Sequence, residues 1–126
     1  MHKSRLGALI IDCRTHDLPA QARFWGAALG YKPVPPKAGW DGKYIDLAGP
    51  EGELKIMVQR VDHENRVHLD IETDNFAAEI ARLEQLGAKR LKNFPRWTVM
   101  EAPSGHRFCI INPQWPNFAE KANAWP

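Results

Sequence analysis

Between Val67 and Glu72 the chain reads VHLDIE, so that Val67, Leu69 and Ile71 alternate with His68, Asp70 and Glu72. A period of two is the mark of a strand with unlike faces, here one greasy and one carrying an imidazole and two carboxylates. Such groups can hold or move a proton, or line the wall of a polar pocket. Asp70 and Glu72 would pair as acid and base only if both entered a cavity, and Glu72, near the strand end, is expected in solvent. Cys13 and Cys109 both lie in apolar strand patterns and read as small core or pocket residues, not as a disulfide. Ser104-Gly105 lacks the Gly-x-Ser-x-Gly frame of a nucleophile elbow, and no glycine loop between a strand and a helix could cradle a phosphate.

The elements that must position these groups follow from local signals. Asp74 or Asn75 caps a helix with the apolar stripe Phe76, Ile80, Leu83 and Leu86, ended by Gly87. The greasy strand face is expected to pack on that helix, which leaves the His68 face for something else. Earlier in the chain, Leu6 to Cys13 is a strand, with Ala8, Ile10 and Asp12 on one face. Asp17 caps a second helix with Pro19 in its first turn, a stripe of Ala22, Trp25, Ala28 and Leu29, and a stop at Gly30. Hairpins turned at Pro50-Glu51-Gly52 and Pro103-Ser104-Gly105 follow the two helices, with strands over 43–47, 53–60, 97–102 and 106–111. The punctuation therefore repeats as strand, helix and three strands. We expect an α+β fold of two βαβββ modules, about residues 6–62 and 63–113, within a single domain over 1–126. Residues 1–6 are expected to fray. The tail 114–126, with Trp115, Phe118 and Trp125, is too short for a third element and is expected to fold over an edge or to meet a partner subunit.

Bulk properties narrow the function. The 126 residues are 44% hydrophobic and 25% charged, enough for one domain with a real core. Seventeen basic residues against fifteen acidic ones leave a net charge of +2, scattered rather than concentrated on one face, which argues against nucleic acid. No N-terminal run is apolar enough for a signal peptide or a membrane span, so a cytoplasmic protein without membrane contact is the expectation.

The layout resembles the vicinal oxygen chelate superfamily, the glyoxalase and bleomycin-resistance-like proteins built from paired βαβββ modules. Three stretches carry the likeness: DLPAQARFWGAALGY (Asp17 to Tyr31), VHLDIETDNFAAEIARLEQLGAKR (Val67 to Arg90) and VMEAPSGHRFCIINP (Val99 to Pro113). The resemblance implies two sheets joined into a concave, partly open barrel. In metal-using members it implies a divalent ion (Zn, Fe, Mn or Ni) held from the first and last strands of each module. Carried over position by position, those ligands fall on His68, on Ile10 with Asp12 one step along, near Met57 or Gln59, and on Cys109. Of these His68, Gln59 and Cys109 are the expected metal ligands, and a thiolate at Cys109 would favour zinc. A homodimer is also implied by family habit.

Three functional readings follow. In the first, a semi-polar cleft binds a small organic molecule, with no need of a metal, and the reaction is unassigned. Asp12, Gln59, His68, Asp70 and Arg107 supply its polar groups; Trp40, Tyr44, Met57 and Trp97, with Cys109, supply its walls. In the second, the chain is a metal-dependent lyase, isomerase or epimerase, or dioxygenase, with Asp12 or Asp70 moving a proton. In the third, the tryptophan-rich tail makes the chain an interaction module.

Overall fold

The computed structural model describes residues 1–35 and 42–126, so Trp40 lies outside the described residues. Two compact units emerge, one of residues 8–67 and one of residues 1–7 with 68–126. The first strand, β1 (His2–Cys13), contributes to both.

In the 8–67 unit, β1 is followed by α1 (Leu18–Leu29), β2 (Lys32–Pro33), β3 (Tyr44–Ala48) and β4 (Ile56–Arg60). The strands lie in the order β2-β3-β4-β1, with β4 parallel to β1 and antiparallel to β3. Asp17 starts α1 by accepting a hydrogen bond from the Ala20 amide at 3.1 Å, and Gly30 ends it in the left-handed region, at φ 74°. The helix buries Leu18, Ala22 and Gly26 toward Cys13, Ile45, Leu47 and Val58, with Trp25 packed alongside. Ala28 and Leu29 of the expected stripe are exposed. At Gly26 a Cβ would stand 2.8 Å from the Tyr31 carbonyl, so only glycine lets the helix pass so close to the chain that follows it.

The other unit runs from β5 (Arg66–Thr73) through α2 (Phe76–Gln85), β6 (Lys89–Asn93), β7 (Trp97–Glu101) and β8 (Arg107–Ile111). Its strands lie in the order β5-β8-β7-β6, with β8 parallel to β5 and antiparallel to β7. The fold is thus α+β, and each unit shows the strand, helix and three strands read from the sequence. Ile80 and Leu83 of α2 pack with Met100 and Ile110, flanked by Ile71, Phe76 and Phe108. Of the greasy strand face only Ile71 joins this cluster; Val67 and Leu69 are 53% and 43% exposed. Length explains the difference. A helix of ten residues spans about 15 Å and a strand of eight about 26 Å, so α2 cannot cover all of β5. Asn75, and not Asp74, is the cap, its Oδ1 accepting from the Ala78 amide at 3.0 Å. Asn75→Ala is expected to cost about 1 kcal/mol, read from the urea midpoint at unchanged slope.

Both chain ends differ from expectation. β1 begins at His2, not Leu6, and His2 and Ser4 are buried. The tail forms a one-turn helix, α3 (Phe118–Lys121), and a strand, β9 (Asn123–Trp125), which pairs antiparallel with His2 to Ser4. Each end supplies the partner that orders the other. Two carboxylates fix this arrangement, and both are fully buried. Glu79 accepts from Arg82 Nε at 2.9 Å and Nη2 at 2.8 Å, and its Oε1 lies 2.8 Å from His2 Nε2. The Arg82 guanidinium lies 3.9 Å from the centre of the Trp125 ring, whose Nε1 donates to Ser4 Oγ at 2.8 Å. Glu72, expected in solvent, instead accepts from Arg5 Nε at 2.8 Å and from the backbone N–H groups of Gln114 and Trp115. Arg5 in turn donates to the carbonyls of Trp115 and Pro116. A buried carboxylate must be paired in this way, because an ion without partners would not stay charged out of water.

Candidate functional site

Cross-strand register shows which side chains share a face, since residues directly opposite in a ladder point to the same side. In the second unit Asp70 lies opposite Cys109, and Cys109 opposite Val99. Two residues along, Trp97 shares the Val99 face, Arg107 the Cys109 face and His68 the Asp70 face. The α2 cluster uses the other face, through Ile71, Phe108, Ile110 and Met100. His68, Asp70, Trp97, Arg107 and Cys109 therefore occupy the sheet face turned away from the helix, as the alternation of β5 predicts.

At its centre His68 Nε2 stands 3.4 Å from Asp70 Oδ1, with both side chains 13% exposed. The Cys109 thiol joins them: one ligand atom from each of the three lies within 4.8 Å of the others. Local sequence brings His68 and Asp70 together, two residues apart on one strand. Cys109 arrives only through the parallel register of β8, about forty positions later. Trp97 stacks on Phe94, ring centres 4.5 Å apart and planes 17° from parallel. Arg107 is exposed.

The first unit places its predicted residues in the same manner. Asp12 is opposite Gln59, and Gln59 opposite Tyr44, forming one row across β1, β4 and β3. Ile10 and Met57 form the next row. Gln59 Nε2 donates to the Tyr44 hydroxyl at 3.0 Å. Asp12 is buried, with Oδ2 4.0 Å from Arg66 Nε. These rows lie opposite the α1 face, which uses Ile11, Cys13, Ile45 and Val58. The Cys13 thiol is pushed up first by burial and then by the charge of Asp12, so it stays protonated and inert. Both cysteines are free, as their strand patterns imply.

Sequence reasoning assigned metal-ligand positions to His68, Gln59 and Cys109. Among the described residues His68 and Cys109 group with Asp70, their ligand atoms within 4.8 Å of one another. The His-x-Asp spacing on a strand was the available signal for Asp70.

A family profile described as a glyoxalase-like domain matches residues 8–111, and the chain belongs to that family. It is a member of the vicinal oxygen chelate superfamily, and its fold is theirs. Solved structures of similar fold include a methylmalonyl-CoA epimerase from Mycobacterium tuberculosis, at 15% identity and TM-score 0.56 over 87% of this chain and 88% of that one. A Streptomyces coelicolor methylmalonyl-CoA epimerase variant in complex with 2-nitronate-propionyl-CoA matches at 17% identity and TM-score 0.57, covering 88% and 98%. A methylmalonyl-CoA epimerase in complex with methylmalonyl-CoA and NH4+ matches at 17% identity and TM-score 0.58, covering 88% and 95%. At such identities the likeness is one of fold. No curated protein matches the sequence. No helix among the described residues is long and apolar enough to cross a membrane.

Proposed function

We propose that this chain binds a small organic molecule on the β5–β8 face and holds a divalent cation, zinc foremost, between His68, Asp70 and Cys109. The convergence of an imidazole, a carboxylate and a thiol within 4.8 Å, on the face that the helix leaves uncovered, is the observation that carries this reading. A position that served packing alone would be filled at less cost by apolar side chains.

The donor set fits the ion. Ligand atoms about 2.0–2.3 Å from a tetrahedral zinc stand roughly 3.3–3.8 Å from one another. The His68–Asp70 pair already has that spacing at 3.4 Å, and the Cys109 thiol lies within 4.8 Å of both. Three protein ligands leave a coordination position for a ligand oxygen, which a bound metal would polarise as a Lewis acid. Around it, Trp97 with Phe94 offers an aromatic wall and Arg107 a cation for an acidic ligand. Asp12, Gln59, Tyr44 and Met57 are the corresponding residues of the first unit.

The fold neighbours named as epimerases support a second reading, a metal-dependent isomerase or epimerase. There His68 and Cys109 would hold the ion, leaving Asp70 or Asp12 to take a proton from a carbon next to a carbonyl. We assign the chain to the cytoplasm as a homodimer.

Native mass spectrometry after zinc loading tests the metal and the assembly together. One ion per chain and two chains per particle are expected. His68→Ala should weaken zinc binding by at least about tenfold, since losing a direct ligand costs no less than losing the partner behind one. Zinc uptake unchanged by that substitution would overturn the assignment.

A further inference from the structure

We propose that the hollow at the end of β1 in the 8–67 unit is a second ligand site, for a small monoanionic organic acid with an aromatic body. This inference is independent of the His68 site: it uses none of His68, Asp70 and Cys109, and shares with the proposed function only Asp12. The hollow has a volume of about 420 Å³, within the range of small-molecule sites, and is lined by Asp12, Arg14, Phe24, Trp25, Asn65 and Arg66 among others.

Its polar lining is rich in donors that the protein does not use. The Arg14 backbone N–H donates to Asn65 Oδ1 at 2.7 Å, while its guanidinium has no hydrogen bond or ion pair among the described residues. The same bond fixes the orientation of the Asn65 amide and leaves its NH2 group for another acceptor. Arg66 approaches Asp12, but at 4.0 Å the contact is an ion pair and not a hydrogen bond, so the guanidinium keeps its donors. Against these donors the lining sets one carboxylate, Asp12. A ligand carboxylate would supply two further acceptors, in the planar form that a guanidinium matches.

The rest of the lining defines the remainder of the ligand. Phe24 is 61% exposed on a helix whose buried side is Leu18, Ala22 and Gly26, so the core has no use for its ring. It meets Trp25 edge-on, with ring centres 5.1 Å apart and planes at 84°. The pair forms an aromatic corner at which a third ring can stack or meet an edge. Charge restricts the anion as well. Two arginines against one buried carboxylate leave a net charge of +1, and the Cys13 thiol, protonated, adds nothing. A single negative charge is matched; a polyphosphate would be repelled by Asp12.

Benzoate is the probe, titrated into the full-length protein and followed by amide and side-chain NMR shifts. The shifts should centre on Arg14, Phe24, Trp25 and Asn65. Arg14→Gln and Phe24→Ala, both at exposed positions, should each weaken benzoate by at least about fivefold, and His68→Ala should leave it unchanged. Benzylamine, with the ring and the wrong charge, and inorganic phosphate, with charge and no ring, should each bind at least about tenfold more weakly. The proposal is overturned if benzoate acts elsewhere on the protein or if phosphate matches it. It is equally overturned if Arg14→Gln weakens binding while Phe24→Ala does not, since that pattern describes surface charge alone.

Discussion

Glu79→Ala is expected to destabilise the protein by about 3–5 kcal/mol, because it removes one side of a buried ion pair and leaves the other without compensation. The carboxylate is fully buried; of its partners the His2 side chain is 6% exposed and that of Arg82, half-buried, 25%. Without Glu79, His2 faces an empty acceptor position, and the Arg82 guanidinium keeps only the Trp125 ring as a neighbour of opposite character. The same site gives stability a pH dependence whose sign can be worked out. Burial pushes the Glu79 carboxyl up, but hydrogen bonds from Arg82, His2 and Ser4 and the charge of Arg82 together outweigh it and hold it below the usual carboxylate range. A depressed folded value contributes stability above the unfolded value, about 4.3 for glutamate, and that contribution fades as pH falls through the folded value. Urea unfolding at pH 7, 5 and 3 should therefore show wild type losing stability mainly below about pH 4.5, with a shallower loss in Glu79→Gln. A Glu79→Ala midpoint within error of wild type at pH 7 would show that the pair contributes nothing net.

What the sequence revealed about this fold was what neighbouring residues decide. The caps Asp17 and Asn75, the stop at Gly30 and the turn Pro103-Ser104-Gly105 act within a few residues, and each stands where it was read. The alternation along β5 is equally local, and it placed His68 and Asp70 on the face away from α2. Glu72 belongs to the same alternation, yet its burial depends on backbone donors 42 and 43 positions later. Glu79 flanks the apolar stripe of α2, where a glutamate normally reaches water; its partner His2 is 77 positions away. Leu86 continued the stripe in the sequence but lies past the end of the helix and is 65% exposed. Cys109 was placed by resemblance alone, and only the parallel register of β5 with β8 brings its thiol to His68. Apart from helix ends such as Leu86, the errors gather at contacts of long sequence separation, and the two buried glutamates that bind the chain ends are the clearest of them.

Removing the tail 114–126 is expected to eliminate cooperative folding, or to lower stability by about 5 kcal/mol or more. Glu72 would lose two backbone N–H donors while staying next to Arg5, and each hydrogen bond to a charged group is worth about 1.5–3 kcal/mol. Arg82 would lose the Trp125 ring, worth about 0.5–2 kcal/mol, and Ser4 its indole donor. β1 would lose its antiparallel partner from His2 to Ser4, exposing a strand edge, and Lys3 its bond to the Ala119 carbonyl at 2.6 Å. Against a total stability of about 5–15 kcal/mol these losses take a large share. The comparison that decides the matter is a circular-dichroism melt of the truncated chain beside Trp125→Ala, which removes the ring and its indole donor but leaves β9 in place. We expect a modest drop in midpoint for the point variant and loss of the transition for the truncation. A truncated chain that melted like wild type would mean that the tail is an appendage, free to serve a partner as the interaction reading requires. The tail instead bonds to Glu72, on the same strand face as His68 and Asp70, so its first duty is to hold the end of the strand that presents them.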